Sequence, residues 1–169
     1  MRKNERVTNV VVAGIGGQGV LKASDILADV AFARGLDVKK SEVHGMSQRG
    51  GSVTSEVRFG AKVDSPMIPF GDTDVLIVLT QNQVDIVRAL LRADGALIEP
   101  SMIDETALSN RKSLNVALLG VASARLLFEP AQWLAAIERA LAEKLWAANH
   151  EAFALGRSIG ICLAQKGGS

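Results

Sequence analysis

The sequence predicts an α/β fold in which a mostly parallel sheet is covered by helices on both faces. Three observations support this prediction. The segment from Val7 to Ala13 is valine-rich and almost continuously apolar, as expected of a central strand that is buried on both sides. A second apolar run, VLIVLT, extends from Val75 to Thr80. After Gly19 the apolar residues recur at helical spacing, which completes a β-α unit and indicates a three-layer, Rossmann-like architecture.

The elements of the first half follow from local patterns. The first helix is predicted from about Gly19 to Arg34, and Gly35 ends it. The segment LDVKKSEV is predicted to be a second strand, which completes a β-α-β crossover. In SVTSEVRF the apolar and polar residues alternate, so we expect a strand with one wetter face. Two prolines and two glycines predict a loop from Gly60 to Asp74.

The next segment is predicted to be a helix followed by a short strand. Thr80 and Gln83 have the spacing of a capping box, which predicts a helix from about Gln81 to Arg92. The chain is then expected to turn at ADGA and to form a short strand at LIE. Ser101 and Asp104 repeat the capping spacing and predict a brief helix in MIDETALS.

The last third of the chain is predicted to be helical. NVALLGVASARLLF has the pattern of one helix, and Pro130 suits the first turn of the next one. NHEAFALGRSIGICLA is predicted to be a final helix, although Gly156 and Gly160 lower its intrinsic helix propensity.

Length and charge limit the classes of function. The chain has 169 residues, of which 48% are hydrophobic and 22% charged, so we expect a single domain over residues 1–169. A net charge of +1 favours neither nucleic acid nor an anionic membrane as a partner. The sequence shows no signal-peptide pattern and no run of about 18 apolar residues that could cross a bilayer. We therefore expect a cytoplasmic protein.

Cys162 is the only cysteine. One thiol can form neither an internal disulfide nor a CxxC metal site, and a [4Fe–4S] cluster usually takes four cysteines. Such a cofactor is therefore expected on another chain, and no metal site is predicted in this one. The apolar neighbours Ile161 and Leu163 predict that the thiol is buried and structural.

The stretch GIGGQG has the spacing G-x-G-x-x-G between a predicted strand and helix. Unpaired N–H groups and the helix dipole favour an anion at such a turn. A dinucleotide site usually adds an acid at the end of the second strand, whereas here Glu42 comes late and Asp37 lies at the end of the preceding helix. The glycines could equally form a tight turn and a helix contact without a ligand. The candidate cofactor-binding residues are Gly14, Gly16, Gly17, Gln18 and Gly19.

A second loop, within SEVHGMSQRGGSV, concentrates polar donors at the edge where open α/β sheets place their sites. His44 could transfer a proton or bind an anion, and Arg49 could bind a carboxylate or phosphate. We favour an interface role for both, and no catalytic residue is assigned. The candidate residues for a partner interface or a substrate-access loop are His44, Gly45, Met46, Ser47, Gln48, Arg49, Gly50 and Gly51.

These motifs together resemble a known family. GIGGQGV, SEVHGMSQRGGSV, EVRFG, SPMIP, NVALLG and NHEAFALGR occur in the order found in the gamma component of 2-oxoacid:ferredoxin oxidoreductases, the pyruvate ferredoxin/flavodoxin oxidoreductase family. The resemblance extends from about Val7 to Arg157. The form HGMSQRGG is most similar to the small beta subunit of the indolepyruvate branch.

The resemblance implies a supporting subunit that is inactive alone. The family reaction is the oxidative decarboxylation of a 2-oxoacid, here indolepyruvate or another aryl-pyruvate, with coenzyme A as co-substrate. The resemblance implies that thiamine diphosphate and the [4Fe–4S] clusters lie on a large catalytic partner, which passes electrons to ferredoxin. It also implies that the glycine loop shapes the carboxyl edge of the sheet and that the second loop faces the partner.

Two other functions remain open from the sequence. One is an NAD(P)- or flavin-binding Rossmann-type oxidoreductase domain that uses the segment from Gly14 to Gly19 directly. The other is a non-enzymatic nucleotide-binding scaffold without a decarboxylase partner.

Overall fold

The computed structural model describes residues 6–45 and 51–166. Five strands form one sheet, in the order β2-β3-β1-β4-β5. The strands are β1 (Thr8–Ile15), β2 (Asp37–His44), β3 (Ser52–Gly60), β4 (Thr73–Val78) and β5 (Leu91–Ile98). β1 pairs in parallel with β4, and β4 with β5, whereas β3 is antiparallel to both of its neighbours. Four strands therefore point the same way, and β3 lies between β1 and β2.

Within residues 6–45 and 51–166, five α-helices accompany the sheet: α1 (Val20–Ala33), α2 (Val84–Val87), α3 (Leu114–Ser123), α4 (Pro130–Ala140) and α5 (Trp146–Lys166). Short 3-10 turns occur at Gln81–Gln83, Arg88–Leu90, Pro100–Met102, Glu105–Ala107, Arg111–Ser113 and Glu143–Leu145. In the part of the chain that the structure describes, no helix has both the length and the apolar character needed to cross a bilayer.

One face of the sheet carries most of the core. Val10 and Val12 of β1 point to this face and pack under α1 and α3, while α4 and α5 pack on those two helices. Buried residues recur at helical spacing along α1, and the helix ends before Gly35, whose φ of +83° is favourable only for glycine. An aromatic chain of Phe59, Phe128, Trp133 and Phe153 closes this core, with ring centroids 5.4 to 5.9 Å apart.

The opposite face has a thinner cover. Val11 and Leu76 point to this face, and they are covered by Val84 and Val87 of α2 and by the half-buried Ile68 of the loop before β4. The α/β class with helices on both faces is confirmed, but the two helical layers are unequal. The second layer contains only one turn of α-helix between two 3-10 turns.

The predicted helix from Gln81 to Arg92 is wrong at its end. Leu91 already belongs to β5, and the residues expected to turn at ADGA lie within that strand. A register shift between β4 and β5 absorbs the additional residues, and the Arg92 guanidinium donates a hydrogen bond of 2.8 Å to Asp74 on β4. The predicted capping bond of Thr80 is also absent, since its side chain caps nothing among the described residues.

The predicted brief helix in MIDETALS is reduced to 3-10 turns, of which one is capped by the Asp104 carboxylate. The helix predicted over NVALLGVASARLLF is shorter than expected, because α3 ends at Ser123. The final helix is confirmed, and it continues through Gly156 and Gly160.

The expectation of a buried thiol at Cys162 is wrong, because this side chain is exposed. Gly160 of the same helix faces the core. Two residues along an α-helix correspond to a rotation of about 200°, so Cys162 points away from the core. The apolar neighbours Ile161 and Leu163 are partly exposed as well.

Helices α3 and α5 are parallel and packed backbone to backbone. A Cβ atom at Gly156 would overlap the carbonyl oxygen of Ala117, and one at Gly160 would overlap that of Val121. The facing residues advance in the same direction along both helices, which defines the parallel arrangement. Gly156 and Gly160, which lowered the predicted propensity of this helix, are therefore the residues that permit the close contact.

Candidate functional site

The carboxyl edge of the sheet brings together the loops that the sequence singled out. The glycine loop, residues 14–19, follows β1 at this edge. The hairpin loop, residues 45–51, joins β2 to β3 at the same edge. The connections after β4 and β5 also meet there, because Gln81 Nε2 donates a hydrogen bond of 2.9 Å to Glu99 Oε2. Open α/β sheets place their sites at this edge.

The glycine loop is closed on itself. The side-chain oxygen of Gln18 accepts a hydrogen bond of 2.9 Å from the backbone N–H of Ile15. Gly14 lies directly below, where a Cβ atom would come within 2.8 Å of that oxygen. Gly17 and Gly19 have φ values of +87° and +81°, which side chains disfavour. Each of these glycines thus has a structural reason that requires no ligand.

The hairpin loop is tied to the glycine loop at its base. The backbone N–H of Gly16 donates to the carbonyl oxygen of Gly51 at 3.0 Å, and that of Gly45 donates to Ser52 at 2.7 Å. The Ser52 hydroxyl donates to Gln83 Oε1 at 2.8 Å. These bonds fix the hairpin loop against two neighbouring connections.

Gln83 is the site residue that the sequence analysis missed, since it was considered only for helix capping. Its side chain is 8% exposed. It lies in the 3-10 turn before α2 and supports the base of the hairpin loop through Ser52. A single glutamine after a buried strand gives no sequence signal for such a role, because its partner lies 31 positions away.

His44 ends β2 at the start of the hairpin loop. Its side chain is 57% exposed, and its Nε2 atom lies 3.7 Å from a carboxylate oxygen of Glu42. The predicted loop residues Met46, Ser47, Gln48, Arg49 and Gly50 lie outside the described residues. The structure therefore shows how the two ends of the loop are held, at His44 and Gly51.

A short chain of charges runs along β2 towards His44. The Lys40 ammonium lies 2.6 Å from Asp25 of α1 and 2.7 Å from Glu42. Burial acts to lower the pKa of Lys40, but the hydrogen bonds to Asp25 and Glu42 outweigh it and hold that pKa above its usual value. The hydrogen bond from Lys40 also holds the pKa of Glu42 below its usual value, against a small opposing effect of burial. The ion pairs of Lys40 with Asp25 and Glu42 therefore stabilise the edge strand β2.

The arrangement does not fit a dinucleotide. The acid that binds a ribose ends the parallel strand that follows the first helix and lies beside the first strand. Here the neighbour of β1 on that side is the antiparallel β3, which begins at this edge with Ser52. Glu42 lies one strand further away, paired with Lys40, and Asp37 lies at the opposite edge, where it accepts a hydrogen bond from Val63. The NAD(P) or flavin alternative is therefore not favoured.

The donor set does not fit an iron–sulfur cluster either. Such clusters are held by several thiolates, and the chain has only Cys162. Within residues 6–45 and 51–166, no three His, Cys, Asp or Glu side chains gather as a metal site would require. No step of an iron–sulfur reaction is therefore assigned to this chain.

The fold and this edge define a Rossmann-like α/β domain whose glycine loop makes hydrogen bonds to its own side chains and to the hairpin loop. The chain belongs to the pyruvate ferredoxin/flavodoxin oxidoreductase family, which it matches over residues 9–103. The family resemblance predicted from the motifs is confirmed. The matched region contains the glycine loop, the hairpin loop and Gln83.

Curated relatives support the same family. Indolepyruvate oxidoreductase subunit IorB of Methanothermobacter thermautotrophicus is 44% identical over 82 residues, which are 48% of this chain and 40% of that protein. The subunit of the same name from Archaeoglobus fulgidus is 54% identical over 71 residues, which are 42% of this chain and 35% of that protein. The matches thus span less than half of the length of these relatives.

A solved structure shares the fold. The gamma subunit of a keto/oxoacid ferredoxin oxidoreductase from Geobacter sulfurreducens superposes with a TM-score of 0.78 and 24% sequence identity. The superposition covers 92% of this chain and 99% of that subunit. The chain therefore shares the mixed sheet and the helical layers of that structure.

Proposed function

We propose that this chain is the small, gamma-type subunit of a cytoplasmic 2-oxoacid:ferredoxin oxidoreductase that acts on indolepyruvate or another aryl-pyruvate. Residues 1–169 form one gamma-type domain in this proposal. The observation that carries it is the family match over residues 9–103, which includes both loops of the carboxyl edge and Gln83, the residue that supports the base of the hairpin loop. The identity to IorB subunits favours the indolepyruvate type.

The chemistry belongs to a large catalytic partner in this proposal. Thiamine diphosphate and [4Fe–4S] clusters on that partner supply the decarboxylation and carry the electrons to ferredoxin, and coenzyme A takes the acyl group. The small subunit presents the hairpin loop, with His44 and Arg49, to the partner. The glycine loop contributes a fixed wall, because Gly16 holds the base of the hairpin loop through Gly51.

The hydrogen bonds at the base of the hairpin loop support the proposal that this loop contacts the partner. A loop that must dock on a partner loses less conformational entropy if its ends are already fixed. The hydrogen bonds made by Gly45, Gly51 and Ser52 fix the two described ends of the hairpin loop. The chain therefore acts by closing the site of the partner and controlling access of coenzyme A.

The decisive experiment is anaerobic purification of the tagged chain from its native host. The co-purifying material is assayed for thiamine diphosphate, for iron, and for 2-oxoacid-dependent reduction of a viologen dye with and without coenzyme A. We expect a larger iron-bearing partner, with indolepyruvate or phenylpyruvate used in preference to pyruvate. A colourless protein without a partner contradicts the proposal and leaves the scaffold function. Calorimetry with NADH and FAD at millimolar concentration then tests the dinucleotide alternative.

A further inference from the structure

A small pocket of about 120 Å³ opens where α3 and α5 begin. Its polar lining consists of Asn110, Lys112, Ser113, Asn115 and Asn149, and apolar side chains complete the wall. None of the described residues that line it is acidic. Gly45 and Gly51, the described ends of the hairpin loop, are not among the residues that line the pocket.

Ser113 supplies a buried hydroxyl at this pocket. The residue is 1% exposed, and its Oγ atom has no hydrogen-bond partner among the described residues. A serine at the N-cap of a helix usually accepts a hydrogen bond from the third N–H of that helix. Here the N–H of Val116 donates instead to the side chain of Asn115, at 2.9 Å. A buried hydroxyl without a hydrogen-bond partner destabilises the fold, and a bound acceptor at this position would remove that cost.

Two helices place their amino-terminal turns at the pocket, α3 through Ser113, Asn115 and Val116, and α5 through Asn149. α3 and α5 are parallel, and both begin beside it. Asn115 links the pocket to the start of α1, because its side chain donates to the carbonyl oxygen of Gly19 at 3.2 Å. The partial positive charge at the amino-terminal turn of each helix favours an anion in the pocket. Lys112 adds a full positive charge.

We propose that this pocket binds one phosphate group. The Ser113 hydroxyl donates a hydrogen bond to a phosphate oxygen, and the Lys112 ammonium pairs with the charge. A volume of about 120 Å³ is that of roughly four water molecules, which suits one phosphate but not a nucleotide. Because the pocket is open to solvent, the phosphate can be free or can be the end of a larger ligand that remains outside.

The test uses the full chain alone, so it does not depend on the proposed catalytic partner. Inorganic phosphate and adenosine 5′-monophosphate are titrated by calorimetry in chloride buffer of constant ionic strength. We expect saturable binding of phosphate that Ser113→Ala and Lys112→Ala each weaken about five-fold or more. Lys62→Ala is the matched control, since that side chain is 82% exposed and pairs only with Asp64 among the described residues. Its affinity should equal that of the wild type.

The two titrants distinguish the sources of the phosphate. Tighter binding of the nucleotide, with the same loss in Ser113→Ala, identifies the phosphate end of a larger ligand, and equal affinities identify free phosphate. The proposal is overturned if neither titrant binds saturably. It is also overturned if both pocket variants bind as tightly as Lys62→Ala. Thermal unfolding of each variant verifies that the fold is intact. Because Lys112 is exposed, Lys112→Ala tests the pocket even if Ser113→Ala, which changes a buried residue, does not fold.

Discussion

Gly156 packs directly on the carbonyl group of Ala117, at the contact between α5 and α3. Glycine in a helix interior costs about 1 kcal/mol relative to alanine. The two backbones approach closely at Gly120 and Gly160 as well. This packing must therefore stabilise the fold by more than the glycines destabilise the helices. The stabilisation comes from dispersion contacts between the two helices, which larger side chains would hold apart.

The variant Gly156→Ala separates the effect of helix propensity from the effect of close packing between α3 and α5. Helix propensity alone predicts a gain of up to about 1 kcal/mol, whereas steric overlap with Ala117 predicts a loss of about 2–4 kcal/mol. We expect the loss, measured as the free energy of unfolding in urea. Ser158→Ala on the exposed side of the same helix is the control and should change stability by less than about 0.5 kcal/mol. A stabilised Gly156→Ala variant would show that the helices are further apart.

Gln18→Ala should destabilise the glycine loop. The variant leaves the N–H of Ile15 without its acceptor, and the expected cost is about 1 kcal/mol because this position is only half-buried. Gln18→Glu retains an acceptor oxygen and should lose less than half as much, measured by urea unfolding. Equal losses in both variants would indicate that the Gln18–Ile15 bond does not stabilise the loop. Neither variant should acquire affinity for NADH.

Arg49→Ala should weaken association with the catalytic chain by about ten-fold while changing the melting temperature of the isolated subunit by no more than about 2 °C. The expectation rests on the proposed docking role of the hairpin loop. Arg34→Ala is a matched control, since that exposed residue ends α1 at the opposite edge of the sheet. Affinities are compared by surface plasmon resonance. Equal affinity of both variants would place the hairpin loop away from the partner.

Glu42 should contribute stability that depends on pH. Its pKa is lowered by the hydrogen bond from Lys40, so the contribution is complete above the ordinary value of 4.5 and is lost as the pH falls through the lower, folded-state pKa. The difference in unfolding free energy between wild type and Glu42→Gln should therefore be constant above about pH 5 and shrink as the pH falls from about 5 to 3. Glu151→Gln on the exposed side of α5 serves as the control. A difference that stays constant with pH would contradict the assignment.

Cys162 should react with a thiol reagent in the native, isolated chain. Its side chain is exposed, so modification by a disulfide dye should not require unfolding. We expect one thiol per chain to be modified in native buffer at a rate within about ten-fold of the rate in denaturant. Reaction only after unfolding would restore the prediction of a buried thiol.

The sequence predicted the elements with strong local signals and missed those that depend on distant partners. Apolar continuity from Val75 predicted β4, although the strand begins and ends two residues earlier than expected, and Gly35 predicted the end of α1 to within one residue. The start of β5 at Leu91 accompanies its pairing with Thr73 of β4 and the ion pair between Arg92 and Asp74, which local propensity does not contain. The brace at Gln83 and the exposure of Cys162 depended in the same way on the orientation of elements that only tertiary packing determines.

The antiparallel β3 beside β1 also limits how this domain can evolve. The side chain that a ribose requires would have to come from a strand that runs in the other direction, so no single substitution around Gly14 can supply it. A change between this domain and a dinucleotide-binding enzyme requires an exchange of strands. Selection for NAD-dependent activity in this scaffold should accordingly yield either rewired topologies or sites elsewhere on the surface.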